Sequence, residues 1–254
     1  MKKRKAGIVI FVIVLIITAV RIKSMDSHRI SGRILAENIA GPGMLRLVEQ
    51  SMQARARKTS VTEIAVKERK HPQAALTFDD GPDIRYTPLL LDGLKERNVR
   101  ASFFLLGEKV EQYPELVERM QKEGHLVGNH TYHHVQLNKL NETKAREEIL
   151  KTNNLIYETT GVYPLYLRPP FGAWKKNLEL CVEMLPVFWT IDTLDWKVQN
   201  TEKIVRTVQE QIEDGAIILM HDEYDTSVEA ALQVVDELKN QGYELVTVDQ
   251  LILP

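Results

Sequence analysis

Two adjacent carboxylates, Asp79 and Asp80, follow an apolar run and stand directly before Gly81 and Pro82. Consecutive residues of a strand point to opposite faces, so neighbouring carboxylates can share one site only where the strand breaks. The glycine and the proline provide that break. Because Asp-Gly is also a common pair in solvated turns, this motif alone fits a turn and a site about equally well.

The segment HTYHH places two histidines, His130 and His134, four positions apart. This spacing brings two side chains to one face of a helical turn, and neutral imidazoles so spaced are frequent zinc ligands. Taken alone, the spacing is more typical of solvated surface histidines. With Asp80 included, a metal site becomes the favoured interpretation. Two histidines and one carboxylate are a common ligand set of catalytic metals, with one coordination position left for water or substrate. His133 is assigned no role.

Three further polar residues follow or border apolar runs. Arg168 begins the segment RPPFGAW, in which prolines fix the backbone and Gly172 permits close approach to a ligand. An arginine here can hold a carboxylate ionised, or it can form a structural salt bridge. Asp195 lies in DTLDW, and His221 directly follows an apolar run, an unusual place for a surface residue with a structural role. Five such segments in chain order argue against a purely structural explanation.

A framework that brings strand ends together would collect these residues. Apolar strand-like segments alternate with helix-like segments from residue 74 onward, which indicates parallel strands joined by crossover helices. Seven such units without a GxGxxG fingerprint favour a closed or nearly closed barrel, whose active site forms at the carboxyl ends of the strands. An open doubly wound sheet is the structural alternative. The predicted strands are 74–78, 101–106, 125–128, 165–167, 186–191, 216–220 and 243–248, and the predicted helices are 87–97, 114–123, 142–159, 175–185, 201–213 and 227–241.

Composition narrows the class of protein. The chain has 254 residues, a formal net charge of −2 and a hydrophobic content of 44%, which supports a sizeable core. A nearly neutral chain lacks the basic footprint of nucleic-acid binding, so no nucleic-acid partner is expected. The single cysteine, Cys181, excludes an internal disulfide framework and a cysteine-rich zinc site.

The first residues resemble a targeting segment. Four cations at 2–5 precede an apolar run at 6–20, a pattern typical of a secretory signal. No clear small-x-small cleavage site follows, so an uncleaved anchor is an equal alternative, although the run is shorter than the roughly 20 residues of a membrane span. We expect 1–23 to be a signal peptide or membrane anchor, 24–70 a stalk or adapter, and 71–254 a catalytic domain outside the cytoplasm.

Together, five motifs resemble those of the NodB-homology polysaccharide deacetylases, carbohydrate esterase family 4. The resemblance covers roughly residues 74 to 250. It implies a distorted (β/α) barrel with about seven parallel strands, and hydrolysis of N-acetyl groups from peptidoglycan or chitin-like glycans, with some related members acting on acetylated xylan. The motifs are TFDDG (77–81), HTYHH (130–134), RPPFGAW (168–174), DTLDW (192–196) and ILMHD (218–222).

The resemblance also implies a division of roles. Asp79 would be the general base, tethered by Arg168, and His221 would be the general acid, oriented by Asp195. The cofactor would be a divalent metal, with zinc expected and cobalt, nickel or manganese as alternatives. Its ligands would be one carboxylate and two imidazoles, those of Asp80, His130 and His134.

Three residues are implied in substrate binding. The backbone N–H of Phe171 would help to hold the oxyanion, and Trp196 and Leu219 would line the pocket around the acetyl methyl. Phe171 stands where the family often has tyrosine, so a hydroxyl contact to substrate is missing while the backbone donor is kept.

The leading hypothesis is therefore a cell-surface N-deacetylase, a hydrolase of linear amides acting on the cell-wall glycan. An O-acetyl esterase with the same metal site and a non-catalytic glycan-binding module are the alternatives. A paired-carboxylate glycosidase is disfavoured, because Asp79 and Asp80 are adjacent while such carboxyl groups stand about 5 to 9.5 Å apart. The residues do not distinguish N-acetylglucosamine from N-acetylmuramic acid as the sugar that is deacetylated. They also leave the oligomeric state open.

Overall fold

The computed structural model describes residues 71–174 and 184–252. All of the described residues belong to one compact unit. The predicted anchor and stalk, and most of the predicted helix 175–185, lie outside the described residues. None of the described helices is long and apolar enough to cross a membrane.

The described strands form one sheet in which all pairs are parallel. They are β1 (Gln73–Asp79), β2 (Ser102–Leu105), β3 (Leu126–Asn129), β4 (Tyr166–Leu167), β5 (Leu185–Pro186), β6 (Ile191–Asp192), β7 (Ala216–His221) and β8 (Glu244–Leu245). Seven of them follow the order β5-β4-β3-β2-β1-β7-β6, and β8 pairs with the start of β1. The prediction of an α/β fold with parallel strands is confirmed.

Helices connect and cover the strands. Helix α3 (Pro114–Lys122) shows why they form: its buried side chains, Leu116, Val117 and Met120, fall on one face at helical spacing. Helix α4 (Glu142–Thr160) begins after Asn141, whose side chain accepts a hydrogen bond from the Lys144 N–H. The helices are α1 (Tyr86–Glu96), α2 (Gly107–Gln112), α3 (Pro114–Lys122), α4 (Glu142–Thr160), α5 (Asp195–Val198), α6 (Thr201–Gln211), α7 (Asp225–Asn240) and α8 (Val248–Ile252).

Strand β1 lies inside the sheet, between β2 and β7, and is buried along almost its whole length. Alternation along the strand sends Leu76 and Phe78 into the main hydrophobic core. The residues between and after them, Thr77 and Asp79, face the other side, where both contact Arg168. The apolar side chains on one face therefore anchor the strand in the core. The opposite face carries polar groups at the carboxyl end of the strand.

The predicted strand 186–191 is two strands. Its first part, β5, pairs with β4, and its last part, β6, pairs with β7, at the opposite end of the strand order. Strands β5 and β6 do not pair with each other, and the four residues 187–190 join these two edges. A chain of this length spans at most about 18 Å. The described strands therefore form a half-barrel whose two edge strands, β5 and β6, are joined by covalent chain and not by hydrogen bonds.

Candidate active site

The carboxyl ends of β1 and β7 bring the first two functional side chains together. Asp79 and His221 are register partners in this parallel pair. Asp79 is 3% exposed, and the side chain of His221 is 12% exposed. Two strands predicted from separate apolar runs thus place a carboxylate and an imidazole at one edge of the sheet, as expected for a barrel site.

Asp80, His130 and His134 form a group able to hold a metal ion. Each offers one ligand atom, and these atoms lie within 4.8 Å of one another. Asp80 Oδ1 is 3.4 Å from His130 Nε2 and 3.5 Å from His134 Nε2. Asp80 has φ 68°, a left-handed conformation that turns its carboxylate towards the histidines immediately after the strand ends.

The protonation of His130 suits a metal ligand. Its Nδ1 lies 2.6 Å from the Arg168 carbonyl oxygen, so Nδ1 carries the proton and Nε2 keeps its lone pair towards Asp80. Burial lowers the pKa of His130 to about 3, which keeps the ring neutral. Asp80 Oδ1 is buried and has no hydrogen-bond partner among the described residues. An unpaired carboxylate oxygen facing an imidazole lone pair fits a cation between them.

Arg168 is fully buried and holds Asp79. One guanidinium nitrogen, Nη1, donates to Asp79 Oδ1 at 2.8 Å and to Thr77 Oγ1 at 2.7 Å. The guanidinium carbon lies 4.2 Å from the centre of the Phe104 ring. Burial raises the pKa of Asp79, and the charge and hydrogen bond of Arg168 oppose that rise without cancelling it. A carboxylate with a raised pKa accepts a proton more readily.

His221 is held in the opposite way, by a carboxylate. Asp195, at the start of α5, lies 2.7 Å from its Nδ1, and the remaining nitrogen, Nε2, is 3.8 Å from Asp80 Oδ2. Asp195 follows Leu194, which has φ 52° and donates its N–H to Asp192 Oδ1 at 3.0 Å. This left-handed turn aims Asp195 inward. Sequence reasoning assigned no role to Asp192 and Leu194, although an aspartate can form a turn by accepting a hydrogen bond from the N–H two residues later.

A cavity of about 420 Å³ opens over these groups. Phe171 is 65% exposed with φ 60°, and its ring centre lies 4.5 Å from that of His134. In the part of the chain that the structure describes, the Phe171 N–H has no hydrogen-bond acceptor. Arg168 and Asp195 lie behind the cavity wall, and the other eight predicted site residues line the cavity: Asp79, Asp80, His130, His134, Phe171, Trp196, Leu219 and His221.

Comparison with known proteins identifies the family. A family model described as polysaccharide deacetylase matches residues 66–187. The peptidoglycan-N-acetylglucosamine deacetylase of Bacillus cereus strain ATCC 14579 is 40% identical over 186 residues, which cover 70% of this chain and 68% of that protein. The chain belongs to the polysaccharide deacetylase family. The sequence motifs predicted this family, and the prediction is confirmed.

At least one relative in the polysaccharide deacetylase family is much longer than this chain. The peptidoglycan-N-acetylglucosamine deacetylase PgdA of Listeria monocytogenes strain 10403S is 42% identical over 185 residues, covering 73% of this chain and 40% of that protein. The chain thus spans about two fifths of that relative's length. The structure of peptidoglycan deacetylase PdaC from Bacillus subtilis is similar with a TM-score of 0.70 at 42% identity, covering 72% of this chain and 91% of that chain.

The histidine segment of this member of the family departs from the predicted helical turn. Residues 130–134 form an irregular loop in which Thr131 and His134 have positive φ. The Glu148 carboxylate binds this loop from helix α4. Sequence reasoning missed Glu148, because it lies in the interior of an amphipathic helix with nothing local to distinguish it from its neighbours.

Proposed function

We propose that this chain removes N-acetyl groups from amino sugars of peptidoglycan in a metal-dependent hydrolysis. The observation that carries the proposal is the arrangement of Asp79 and His221, which both border the Asp80–His130–His134 group at the base of one cavity. A buried carboxylate held by an arginine and an imidazole held by a carboxylate supply a base and an acid. The three relatives compared above are named as peptidoglycan deacetylases, which supports the choice of substrate.

Asp80, His130 and His134 would hold a divalent cation, and two imidazoles with one carboxylate favour zinc over harder cations. Cobalt, nickel and manganese are the alternatives. When bound, the metal supplies Lewis acidity, polarising a carbonyl group and lowering the pKa of water from about 15.7 towards roughly 7. His130 keeps one tautomer through its bond to the Arg168 carbonyl, so its free nitrogen points at the site.

Asp79 accepts the proton of the attacking water. Its Oδ1 is bound by Arg168 at 2.8 Å, and its Oδ2, 3.6 Å from His130 Nε2, remains free for this proton. Arg168 fixes the direction of the carboxylate, and burial raises its pKa towards that of an effective base. The base therefore works from a fixed position at the end of a buried strand.

His221 donates a proton to the departing nitrogen. An amine leaves readily only once it is protonated, so the reaction needs an acid separate from the base. The Nδ1 of His221 is bound to Asp195, which directs the proton of Nε2 towards the cavity. Asp79 and His221 are thus kept in opposite protonation states by their different partners.

The cavity wall provides for the acetyl group. The Phe171 N–H would donate to the developing oxyanion, a contribution worth about 100- to 1000-fold in rate for one donor. Its left-handed backbone, between Pro170 and Gly172, sets the direction of that N–H. The apolar side chains of Trp196 and Leu219 would surround the methyl group.

The N-terminal residues support a location of the domain outside the cytoplasm. The basic and apolar pattern of residues 1–23 would carry the domain at 71–254 to the outer face of the membrane, as a cleaved signal or an anchor, with 24–70 as a stalk. There the accessible polymer is the cell wall, and each acetyl group removed leaves a cationic amine. Fractionation of cells that express the full chain, with residues 1–23 present or deleted, tests this. Intact full-length chain in the cytosol would contradict it.

The activity is tested by acetate release from peptidoglycan and from N-acetylglucosamine oligomers, using the full chain in detergent. Zinc-loaded and chelator-treated protein are compared, with Asp79→Asn as the variant that keeps all three metal ligands. Release that needs metal and disappears in Asp79→Asn supports the proposal. Stoichiometric metal without release from any N-acetylated glycan overturns it. Release from O-acetylated glycans alone would assign the same site to an esterase.

A further inference from the structure

Two residues of the loop that carries the paired histidines have left-handed backbone. Thr131 has φ 67° and His134 has φ 55°. Residues other than glycine seldom adopt this region, and they persist there only where the surrounding structure holds them. The position of the His134 imidazole therefore depends on the contacts that hold this loop.

Three consecutive backbone N–H groups of the loop are bound by side-chain oxygens. Thr131 donates to Asn129 Oδ1 at 2.7 Å. The next two N–H groups, of Tyr132 and His133, converge on Oε2 of Glu148 at 3.0 and 2.9 Å. Successive N–H groups that point at one atom form an anion-binding concavity, and a carboxylate is a strong acceptor for it.

The second oxygen of Glu148 binds a side chain of the same loop. Its Oε1 lies 2.8 Å from Nδ1 of His133, the histidine for which the motif gave no role. The Glu148 side chain is 15% exposed, so water competes weakly for these contacts. One carboxylate thus binds two N–H groups and one ring between the two left-handed residues, Thr131 and His134.

Glu148 projects from a rigid element. The adjacent residue in helix α4, Ile149, is fully buried, and its carbonyl oxygen accepts a hydrogen bond from Asn129 Nδ2 at 2.9 Å. One turn later, Asn153 Oδ1 accepts from the same nitrogen at 2.7 Å. Helix α4 is therefore tied to the end of strand β3, and Glu148 has a fixed position relative to the loop that begins there.

We propose that Glu148 is a positioning residue that sets the geometry of the His130–His134 pair for metal binding. It acts through the backbone of Tyr132 and His133, which lies between the two imidazoles. The inference rests on the proposed function only in taking these imidazoles as metal ligands. It holds whatever acyl group or glycan is cleaved.

The test measures metal binding by the full chain in detergent, with no substrate present. Variants Glu148→Ala and Glu148→Gln are compared with Glu147→Ala, which removes the same charge from an exposed position of the same helical turn. Zinc affinity is obtained by competition with a chromophoric chelator. The visible absorption of the cobalt(II)-loaded chain reports ligand geometry, which a loss of stability alone would not change.

We expect Glu148→Ala to weaken zinc binding by about 10- to 100-fold and to alter the cobalt spectrum. Glu148→Gln keeps one acceptor oxygen for the two N–H groups, so its zinc affinity should fall less than that of Glu148→Ala. The zinc affinity and cobalt spectrum of Glu147→Ala should match those of the wild type. If Glu148→Ala does not fold, Glu148→Gln carries the test with the same direction of change.

The outcomes separate this inference from the proposed function. Wild-type affinity and an unchanged cobalt spectrum in the Glu148 variants overturn the positioning role, even where their melting temperature falls. Weakened metal binding in those variants, combined with no acetate release by the wild type, overturns the proposed function and supports the positioning role. A wild type that binds neither zinc nor cobalt overturns both.

Discussion

Asp195 accepts two hydrogen bonds from His221, each at 2.7 Å: the backbone N–H binds Oδ2 and the ring Nδ1 binds Oδ1. Asp195 is fully buried, so its charge is poorly screened by solvent. Burial alone would lower the pKa of His221, but the hydrogen bond and charge of Asp195, together with Asp79 and Asp80, raise it to about 9. His221 is therefore protonated across the neutral range.

Replacing Asp195 with Asn should move the pKa of His221 down, because the amide keeps the shape of the carboxylate and loses its charge. The acid form of His221 is needed for turnover, so the basic limb of the kcat/KM profile should shift to lower pH by at least about one unit, or roughly 1.4 kcal/mol. Acetate release across pH measures this shift. Asp225→Asn, an exposed carboxylate at the start of α7, is the control. An unmoved basic limb in Asp195→Asn would contradict the assignment of His221 as the acid.

Replacing Arg168 with Met should leave Asp79 buried without its cation. Removal of one partner from a buried ion pair typically costs about 3 to 5 kcal/mol of unfolding free energy. Because burial already raises the pKa of Asp79, the loss should shrink as pH falls and the carboxylate becomes protonated. Denaturant unfolding of chelator-treated protein measures it.

The matched control for Arg168→Met is the double variant Arg168→Met/Asp79→Asn, in which no buried charge is left unpaired. The double variant should be more stable than Arg168→Met alone, with Asp79→Asn completing the cycle. Equal stability of the single and double variants at neutral pH would show that the loss comes from packing of the arginine stem instead of the orphaned charge.

The sequence predicts the conformation of a segment well where the contacts that fix it are close by in the chain, and poorly where they are distant. Asp79 and His221 were placed correctly because each ends an apolar run that is a strand in the structure. The loop of His130 and His134 was predicted as a helical turn. Its left-handed conformation is held by Glu148, which lies 15 positions after His133 and belongs to no local motif.

The same reason explains the strand that was predicted at 186–191. Its two ends pair with residues far away in the chain: Val187 donates to the Leu167 carbonyl, and Thr190 donates to the Ile217 carbonyl. An apolar run indicates that the segment is buried, but it does not indicate with which strand each end pairs. Strands of two residues, such as β5 and β6, are also too short for a periodic signal.

Acidification should destabilise the fold through His125. Burial lowers the pKa of His125 to about 4, helped by Arg100 and Arg119 and opposed by Glu123. Its Nδ1 accepts a hydrogen bond from the Ala101 N–H at 3.0 Å, which requires the neutral ring.

In the unfolded chain, His125 takes up a proton below about pH 6.5, whereas in the folded chain it does so only near pH 4. Stability is therefore lost as pH falls from 6.5 to about 4, by up to about 3 kcal/mol, and the loss then levels off. Unfolding free energies of the wild type and of His125→Gln, measured across this range, isolate the histidine from other groups. A constant difference between the two across the range would contradict the prediction.

Gly81 lies against a buried carboxylate, and this contact should make its replacement costly. A Cβ at Gly81 would lie 2.5 Å from Asp222 Oδ1 and 2.9 Å from Oδ2. Asp222 is fully buried and is bound by the Thr87 hydroxyl, so it has little freedom to move away. We expect Gly81→Ala to lower the unfolding free energy by about 1 to 3 kcal/mol. Because Asp80 precedes Gly81, zinc affinity should fall as well.

A double-mutant cycle identifies the cause of the Gly81→Ala loss. Asp222→Ala removes both oxygens that the new methyl group would meet, so Gly81→Ala should cost less stability in that background than in the wild type. Denaturant unfolding of metal-free protein gives the coupling energy, and chelator competition gives zinc affinity for the same four proteins. If the losses of unfolding free energy in the two single variants simply add in the double variant, Asp222 is not the group that the new methyl group contacts. The destabilisation by Gly81→Ala would then arise from strain within the turn itself.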